Sequence, residues 1–280
     1  MVPGIIHNII QNIVQNSLEN SVLNNAILMK LNMKNQARFV FHSELQDFIE
    51  TEDKNRPHYC QFDDNPSVKD LIESRGVPHT EVAAIVVNGE SVDFTYQVLN
   101  GDNIDVYPIT DITTLKPLRR LIEPLRSEPR FVLDVHLGAL ARYLRLAGFD
   151  VIYEKKDPGD EWIAACSAKQ DRILVTRDKG LLKRAIIRQA YWLRSTHPAQ
   201  QMRELVQRYH LVPWFHPFKR CTHCNGLVQP VEKASIESRL PDHVRRHVAE
   251  FRQCSQCQHL YWKGSHYSKI ENFLAGLQRS

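Results

Sequence analysis

Three aspartates follow short apolar runs of the chain in a pattern suited to binding a divalent cation. They are Asp134 after the run 131–133, Asp160 after the run 149–153 and Asp178 after the run 172–176. If these runs are parallel strands, the three carboxylates lie at the carboxyl edge of one sheet, where open α/β sheets build their sites. Carboxylate oxygens in that position are suited to Mg²⁺ or Mn²⁺.

An aspartate between a strand and a helix also has a simpler explanation. It often serves as the helix N-cap, which stabilises a helix by about 1 kcal/mol. Asp160, the last residue of a turn, suits the N-cap of the helix that follows. Ser, Thr or Asn would cap equally well, so three successive aspartates leave a shared metal site and simple capping as open alternatives.

Four of the six cysteines form two Cys-x-x-Cys pairs separated by 29 residues, namely Cys221 with Cys224 and Cys254 with Cys257. Two such pairs complete a tetrahedral four-sulfur zinc site, and four protein ligands make the zinc structural. The separation is longer than is usual in zinc ribbons, and we expect a helix over 243–251 to occupy part of it. Paired thiols of this kind indicate a reducing compartment, so we expect a cytoplasmic protein with Cys60 and Cys166 as unpaired thiols.

The three aspartates have to be positioned by alternating strands and helices. Apolar runs predict four strands over 131–133, 149–153, 172–176 and 190–194, and helical spacing predicts helices over 137–147, 161–169, 179–189 and 198–209. Short connections then give a parallel sheet covered by helices, the α/β class. Gly148 is the expected stop of the first helix. Arg142 and Arg145 lie off that helix's apolar stripe and, with Arg177, are candidates to bind phosphate.

Charge is segregated along the chain, whose formal net charge is +4. Residues 1–36 sum to +1, residues 37–113 to −10 and residues 114–280 to +13. The basic C-terminal part favours a polyanion such as nucleic acid. We expect the acidic and basic parts to contact each other within the chain and the acidic part to moderate access of RNA. No apolar run of about twenty residues is present, so no membrane span is expected.

The sequence pattern of the acidic part predicts a small domain of strands and one helix. It has a strand at 37–41, a Ser-capped helix starting at Ser67, an apolar strand at 81–87 before the turn Asn88-Gly89, and a last strand near 103–108. This order resembles the β-grasp fold of ubiquitin-like sulfur-carrier proteins. Sulfur carriers act through a free C-terminal Gly-Gly, which this segment lacks, so the resemblance implies a docking or regulatory domain.

The C-terminal part carries a second resemblance in a series of motifs that occur together and in order. They are Asp134, Leu137-Gly138, Leu140-Ala141-Arg142, Leu144-Arg145, Gly148-Phe149-Asp150, Asp160, the segment 173–178, the two cysteine pairs and the segment 261–266. The series resembles the Mut-seven C-terminal RNase family, a PIN-like nuclease domain that ends in a zinc ribbon. Bacterial members of that family also carry an N-terminal ubiquitin-like unit. Val135-His136 departs from the small or flexible pair expected after the first aspartate.

The resemblance implies a ribonuclease that hydrolyses RNA with a carboxylate-bound Mg²⁺ or Mn²⁺, cuts internally and leaves a 5′-phosphate and a 3′-hydroxyl. Asp134, Asp160 and Asp178 would be the catalytic metal ligands. The expected RNA contacts are Arg142, Arg145, Arg177, Lys263 and His266. The expected divisions are a leader at 1–36, a ubiquitin-like domain at 37–113, a basic linker at 114–130, a PIN-like domain at 131–215 and a zinc ribbon with a tail at 216–280.

Two alternatives remain open on the sequence. The first is a non-catalytic RNA-binding or adaptor protein with a degenerate PIN-like core, which needs the basic surface and the zinc but not all three carboxylates. The second is a sulfur-carrier or conjugation factor, which the missing Gly-Gly end disfavours. A phosphatase of the Asp-x-Asp type is also disfavoured, because His136 stands two residues after Asp134.

Overall fold

The computed structural model describes residues 34–112, 119–122, 125, 127–264 and 267–278. Nearly all of the predicted leader and part of the predicted linker therefore lie outside the described residues. The first strand begins at residue 35, two positions before the strand predicted at 37–41. The elements of the first domain are β1 (Asn35–Phe41), β2 (His58–Phe62), α1 (Val68–Ser74), β3 (Ala84–Val87), β4 (Glu90–Val92), β5 (Asn103–Tyr107) and α2 (Ile109–Ile112).

The five strands form one mixed sheet in the order β2-β1-β5-β3-β4. β1 and β5 are parallel, and the other neighbouring pairs are antiparallel. Alternate residues of β1 (Ala37, Phe39 and Phe41) are buried in the core, together with Ile72 of α1. This arrangement confirms the predicted ubiquitin-like fold.

Two local signals in this domain act as the sequence predicts. The Ser67 hydroxyl accepts a hydrogen bond from the Asp70 amide at 3.2 Å and so caps α1. Asn88 and Gly89 have φ angles of 51° and 92°, as a tight hairpin turn between β3 and β4 requires. The apolar strand predicted from residue 81 begins only at Ala84, because residues 79–81 form a 3₁₀ turn.

The second domain is built on four strands and three longer helices. They are β6 (Arg130–Leu133), α3 (Gly138–Ala147), β7 (Asp150–Tyr153), α4 (Asp160–Gln170), β8 (Ile173–Thr176), β9 (Ala190–Trp192) and α5 (Pro198–Tyr209). The strand order is β7-β6-β8-β9, and every neighbouring pair is parallel. The predicted parallel α/β sheet is confirmed.

The two faces of this sheet are buried in different cores. One face contributes Phe131, Leu133 and Val175 to a cluster with α3 and α5. The other face contributes Val132 and Leu174 to a cluster that contains α4 and also the core of the first domain. The first domain therefore covers part of the sheet face on which α4 lies.

The helix predicted over 179–189 is wrong. That segment contains a single 3₁₀ turn at Leu181–Lys183. Its apolar residues Leu181, Leu182 and Ile187 are at most 1% exposed and belong to the same cluster as the first domain's core. Burial against that domain determines the path of the segment and overrides its helical pattern.

The C-terminal part forms a small antiparallel sheet and a final helix. The elements are β10 (Val228–Val231), α6 (Lys233–Ile236), α7 (Asp242–His247), β11 (Phe251–Cys254), β12 (Leu260–Trp262) and α8 (Tyr267–Gln278), with strand order β10-β11-β12. The helix predicted over 243–251 is only partly right, since α7 ends at His247 and Phe251 starts β11. Phe251 pairs with Val231 and Trp262, and its side chain is buried.

Residues between the two domains lie along the first domain where the structure describes them. The amide of Leu121 donates to the carbonyl of Ala83 at 2.9 Å, and Arg119 forms an ion pair with Asp93 at 2.9 Å. This part of the predicted linker is therefore attached to the ubiquitin-like domain. Among the described residues, no helix is long and apolar enough to cross a membrane.

Candidate active site and metal centre

Asp134 and Asp178 follow adjacent strands at the carboxyl edge of the parallel sheet. Asp134 comes after β6 and Asp178 lies two residues after β8, and these two strands pair with each other. The helix after β6 packs on one face of the sheet and the helix before β8 on the other. The two aspartates thus flank the point where the chain changes faces, which is where open α/β sheets bind ligands.

Thr176, the last residue of β8, links the two aspartates. Its hydroxyl donates to Asp134 Oδ2 at 2.8 Å and accepts from the Asp178 amide at 2.9 Å. Thr176 is fully buried, whereas Asp134 is half-buried and Asp178 is exposed. A buried hydroxyl therefore holds two carboxylate-bearing loops in fixed relation at the solvent edge.

Each of the two aspartates also makes a local hydrogen bond. Asp134 Oδ1 accepts from the Val135 amide at 2.6 Å and caps the short turn that follows, and Asp178 Oδ1 accepts from the Gly180 amide at 2.7 Å. A carboxylate oxygen has two lone pairs, so one remains on each of these oxygens. Capping and cation binding are therefore compatible at these positions.

Asp160 is placed differently from the other two. It is the first residue of α4 and not its N-cap, a position that Gly159 occupies with φ of 83°. Asp160 is exposed, and its Oδ2 lies 3.9 Å from an Arg184 nitrogen. The ligand atoms of the three aspartates do not all come within 4.8 Å of one another; the four cysteines form the one such group found among the described residues.

The arginines expected to bind RNA separate into two groups. Arg142 and Arg177 are exposed. Arg145 is 5% exposed, and its guanidinium donates to the carbonyls of Val151 at 2.9 Å and His223 at 3.1 Å. Its placement in the interior contradicts the predicted RNA contact, because its donors hold the cysteine loop against the sheet.

The two RNA contacts expected near the end of the chain differ in what the structure shows. Lys263 is exposed and lies 4.0 Å from a carboxylate oxygen of Glu250. His266 lies outside the described residues.

The four paired cysteines come together as the sequence predicts. Their sulfur atoms lie within 4.8 Å of one another, with Cys221 3.6 Å from Cys257 and Cys224 3.4 Å from Cys254. A tetrahedral zinc with Zn–S bonds of about 2.3 Å places its sulfurs roughly 3.8 Å apart. The set therefore fits one structural zinc ion.

The surroundings of Cys221 favour the thiolate that zinc requires. The Tyr261 hydroxyl donates to Cys221 Sγ at 3.1 Å. Burial opposes ionisation of this thiol, but the hydrogen bonds from Tyr261 and from the amides of Cys224 and His223 outweigh burial and lower the pKa of Cys221 to about 7. Tyr261, on β12, thus supports the metal centre by stabilising the Cys221 thiolate.

The cysteine loop is joined to the parallel sheet by partly buried polar contacts at the start of β7. The Asn225 side chain accepts from the Val151 amide at 3.0 Å and donates to Asp150 Oδ1 at 2.8 Å. Asp150 also pairs with Arg172 at 2.9 Å and with Arg220 at 3.5 Å. The zinc ribbon is therefore docked on the edge of the sheet opposite Asp134 and Asp178.

Several of these residues were not identified from the sequence as parts of the site. Thr176 could have been found as a polar residue that ends a buried strand two positions before Asp178. The supporting role of Tyr261 depends on pairing between β11 and β12, which residue types alone do not specify.

The sequence was compared with protein-family profiles, curated proteins and solved structures. Residues 129–274, more than half of the chain, match the sequence profile described as the Mut7-C RNAse domain, and residues 34–113 match the profile described as Mut7-C ubiquitin. The searches of curated proteins and of solved structures gave no match. On these two profile matches, the chain belongs to the Mut7-C RNase family and carries that family's ubiquitin-like domain on its N-terminal side.

Proposed function

We propose that this protein is a metal-dependent endoribonuclease whose reaction takes place at the carboxyl edge of the parallel sheet. One observation carries the proposal: Asp134 and Asp178 are joined through Thr176 at the point where the chain changes sheet faces. This pair lies within the segment that matches the RNase domain. The donor set consists of carboxylates at a solvent edge, which suits Mg²⁺ or Mn²⁺.

In this proposal Asp134 and Asp178 hold the cation, and Asp160, the first residue of α4, is the third carboxylate expected to act with them. When bound, Mg²⁺ or Mn²⁺ would neutralise charge on the scissile phosphate and lower the pKa of the attacking water. Arg142 and Arg177 are exposed and bind the RNA backbone. Thr176 orients the two carboxylates by donating to Asp134 and by accepting from the backbone amide of Asp178.

Internal cleavage is supported by the exposure of the site. Asp160 and Asp178 are exposed side chains, so a phosphodiester within a chain can reach them without a free end. A circular RNA provides the test, because only an endonuclease cuts it. We expect the linear product to carry a 5′-phosphate and a 3′-hydroxyl.

The experiment that tests catalysis compares the full chain with Asp134→Asn and Asp178→Asn on structured and unstructured RNAs, with and without Mn²⁺. Each substitution removes a charged ligand at the solvent edge, so we expect cleavage to fall by at least about a hundredfold with the fold retained. Equal cleavage by all three proteins would indicate a contaminating nuclease and contradict the proposal. Asp160→Asn should act in the same direction.

A second candidate function is a non-catalytic RNA-binding or adaptor protein. The observation that favours it is the spread of the three aspartates, whose ligand atoms do not all lie within 4.8 Å. Such a protein would bind RNA without cleaving it, and its RNA affinity would not respond to Mn²⁺. The same three proteins distinguish the two functions.

We also propose that the ubiquitin-like domain stays in contact with the basic part in solution and thereby moderates RNA binding. Lys179, Lys183 and Arg194 each contact the acidic domain. Cations used in that contact are not available for phosphate. Separately, we propose that the protein works in a reducing compartment, the cytoplasm, where the paired thiols stay reduced and bind zinc.

A further inference from the structure

The segment that follows Asp178 is held between the two domains. Its apolar residues Leu181, Leu182 and Ile187 are buried in the cluster that contains the ubiquitin-like core. Its backbone forms only a short turn, so few internal hydrogen bonds fix its path. The ubiquitin-like domain therefore supplies much of the contact that determines where this segment lies.

Trp192, at the end of β9, contacts the residues on both sides of Asp178. Its indole nitrogen donates to the Arg177 carbonyl at 3.1 Å, and the Lys179 ammonium lies 4.5 Å from its ring centroid. The amide of Trp192 donates to Glu81 of the ubiquitin-like domain at 2.8 Å, and its ring lies 5.0 Å from that of Phe48. One side chain thus connects the acidic domain to the loop that carries Asp178.

Lys179 completes this connection from the loop itself. Its ammonium donates to the Asp47 carbonyl at 2.9 Å and lies 5.0 Å from the Phe48 ring centroid. Between the Phe48 and Trp192 rings it makes cation–π contacts with both domains. Burial lowers the pKa of Lys179, and Asp47 opposes that shift.

Two more contacts fix the segment further along. The Lys183 ammonium donates to the Glu73 carbonyl at 2.9 Å, and His79 Nε2 lies 3.0 Å from the Ile187 carbonyl. Glu73 and His79 both belong to the ubiquitin-like domain, and they pair with each other at 2.6 Å. The segment is therefore attached to that domain at its beginning, middle and end.

We propose that the ubiquitin-like domain is a positioning element of the nuclease site, which holds Asp178 in place through Lys179 and Trp192. This inference rests on the proposed function and adds to it the role of the N-terminal domain. Lys179 and Trp192 are positioning residues, because they act on the loop of Asp178 and need no contact with RNA. The ubiquitin-like domain would then have two roles. It would limit the access of RNA, and it would hold Asp178 in the position needed for cation binding.

The test uses full-length protein and the substitution Lys179→Met, which keeps an apolar stem between the rings and removes the charge and the donor. Lys179→Arg is the conservative variant that restores both. The matched control is Lys169→Met, the same change at an exposed lysine in the last turn of α4. Phe48→Leu, alone and combined with Lys179→Met, tests the contact from the other domain.

Two measurements are made on each protein. Mn²⁺ binding is followed by the electron paramagnetic resonance signal of free Mn²⁺, which does not depend on activity. RNA cleavage gives kcat and KM separately. We expect Lys179→Met to weaken Mn²⁺ binding by about tenfold and to lower kcat with little change in KM, as loss of a supporting residue does.

The other variants show whether a loss of Mn²⁺ binding comes from the proposed contact. Lys179→Arg should recover Mn²⁺ binding, and Lys169→Met should match the wild type. The effects of Phe48→Leu and Lys179→Met should be non-additive, because both act through one contact. If Lys179→Met raised KM alone, Lys179 would be an RNA contact and the inference would be wrong.

The possible failures are distinguishable. If the wild type cleaves RNA and binds Mn²⁺ while Lys179→Met behaves like Lys169→Met, the positioning role is overturned and the proposed function stands. If the wild type neither cleaves RNA nor binds Mn²⁺, the proposed function fails and the positioning role fails with it.

Discussion

The Thr176 hydroxyl is the residue-scale feature on which the candidate site most depends. It is fully buried and uses both its donor and its acceptor capacity, towards Asp134 and the Asp178 amide. The aspartates could be predicted from the sequence, because their types and their places after strands are visible there. The place of Thr176 at the end of a buried strand is visible there too, but its bridge to Asp134 depends on the pairing of β6 with β8 and could not be predicted.

Thr176→Val keeps the shape of the side chain and removes the hydroxyl. The Asp178 amide and one Asp134 oxygen then lose a partner, so we expect about 1–3 kcal/mol lower stability and cleavage reduced by about ten- to a hundredfold. Thr176→Ser keeps the hydroxyl and is the control. Cleavage kinetics and thermal unfolding check both variants, and equal activity of Val and Ser variants would show that the bridge has no catalytic role.

Arg145 shows where residue-scale prediction fails. Its helical position away from the apolar stripe suggests an exposed cation, yet it is buried and donates to backbone carbonyls of β7 and of the cysteine loop. The zinc ribbon covers this side of α3, and helical periodicity carries no information about a later element that folds back. Such contacts depend on tertiary structure.

At the scale of elements, the zinc ribbon is a small sheet with a limited core, and the four cysteines could bind a zinc ion that stabilises it. Among the described residues, the cluster around the cysteines buries Cys221, Val228 and Cys254, and a second small cluster buries Ile236, Leu240 and Phe251. Small domains with so little apolar burial usually need a metal or disulfides. The cysteine spacing therefore predicted the group of four close sulfurs, and we expect the metal that they bind to stabilise the ribbon.

We expect one zinc ion per chain, lost in Cys221→Ser and in Cys257→Ser together with structure in the ribbon. Native mass spectrometry gives the metal content, and hydrogen exchange of residues 221–262 gives the local structure. Because Arg145 and Asn225 tie the ribbon to the sheet, exchange at the start of β7 should also increase. A metal-free protein with a fully protected ribbon would contradict this expectation.

The contact of Asp150 with the ribbon leads to a pH prediction. Burial raises the pKa of Asp150, but hydrogen bonds from Arg172 and Asn225 and the charges of Arg172 and Arg220 together outweigh burial and hold the pKa below its usual value. A carboxyl whose pKa is lower in the folded state stabilises the fold above the unfolded pKa, about 3.9, and loses that effect as pH falls through the folded pKa.

We therefore expect Asp150→Asn to lower stability by about 2 kcal/mol at pH 7, with the difference from wild type shrinking below about pH 4. Thermal unfolding of both proteins over that range provides the measurement. Both share the cysteines, so their difference excludes the common effect of zinc loss in acid. A difference that stays constant down to pH 3 would show that the charge of Asp150 is not what stabilises the contact.

At the scale of the whole molecule, the two domains share a core and a charge-complementary contact. The sequence predicts the opposite charges, but it does not specify which residues meet. Glu81, within an apolar stretch, is 0% exposed and pairs with Arg194 at 3.4 Å. The helix wrongly predicted over 179–189 has the same origin, because its apolar residues are buried by the other domain.

The buried Glu81 carboxylate should therefore govern how tightly the domains associate. Burial lowers the pKa of Arg194, but Glu81 together with Tyr191, Glu44 and Asp47 outweighs burial and raises it, and Glu81 is the largest of these attractions. Glu81→Gln keeps the hydrogen-bond acceptor for the Trp192 amide and removes the charge. Breaking one partner of a buried pair costs about 3–5 kcal/mol.

We expect the wild type to unfold in one calorimetric transition, because one core spans both domains, and Glu81→Gln to unfold at a lower temperature. Weaker association should also release Lys179, Lys183 and Arg194 towards RNA. RNA affinity of Glu81→Gln would then rise, with a salt dependence steeper by about 0.7 per released cation. Glu90→Gln, at an exposed position on β4, is the control. Unchanged unfolding and an unchanged salt slope in Glu81→Gln would show that the charge of Glu81 does not hold the domains together.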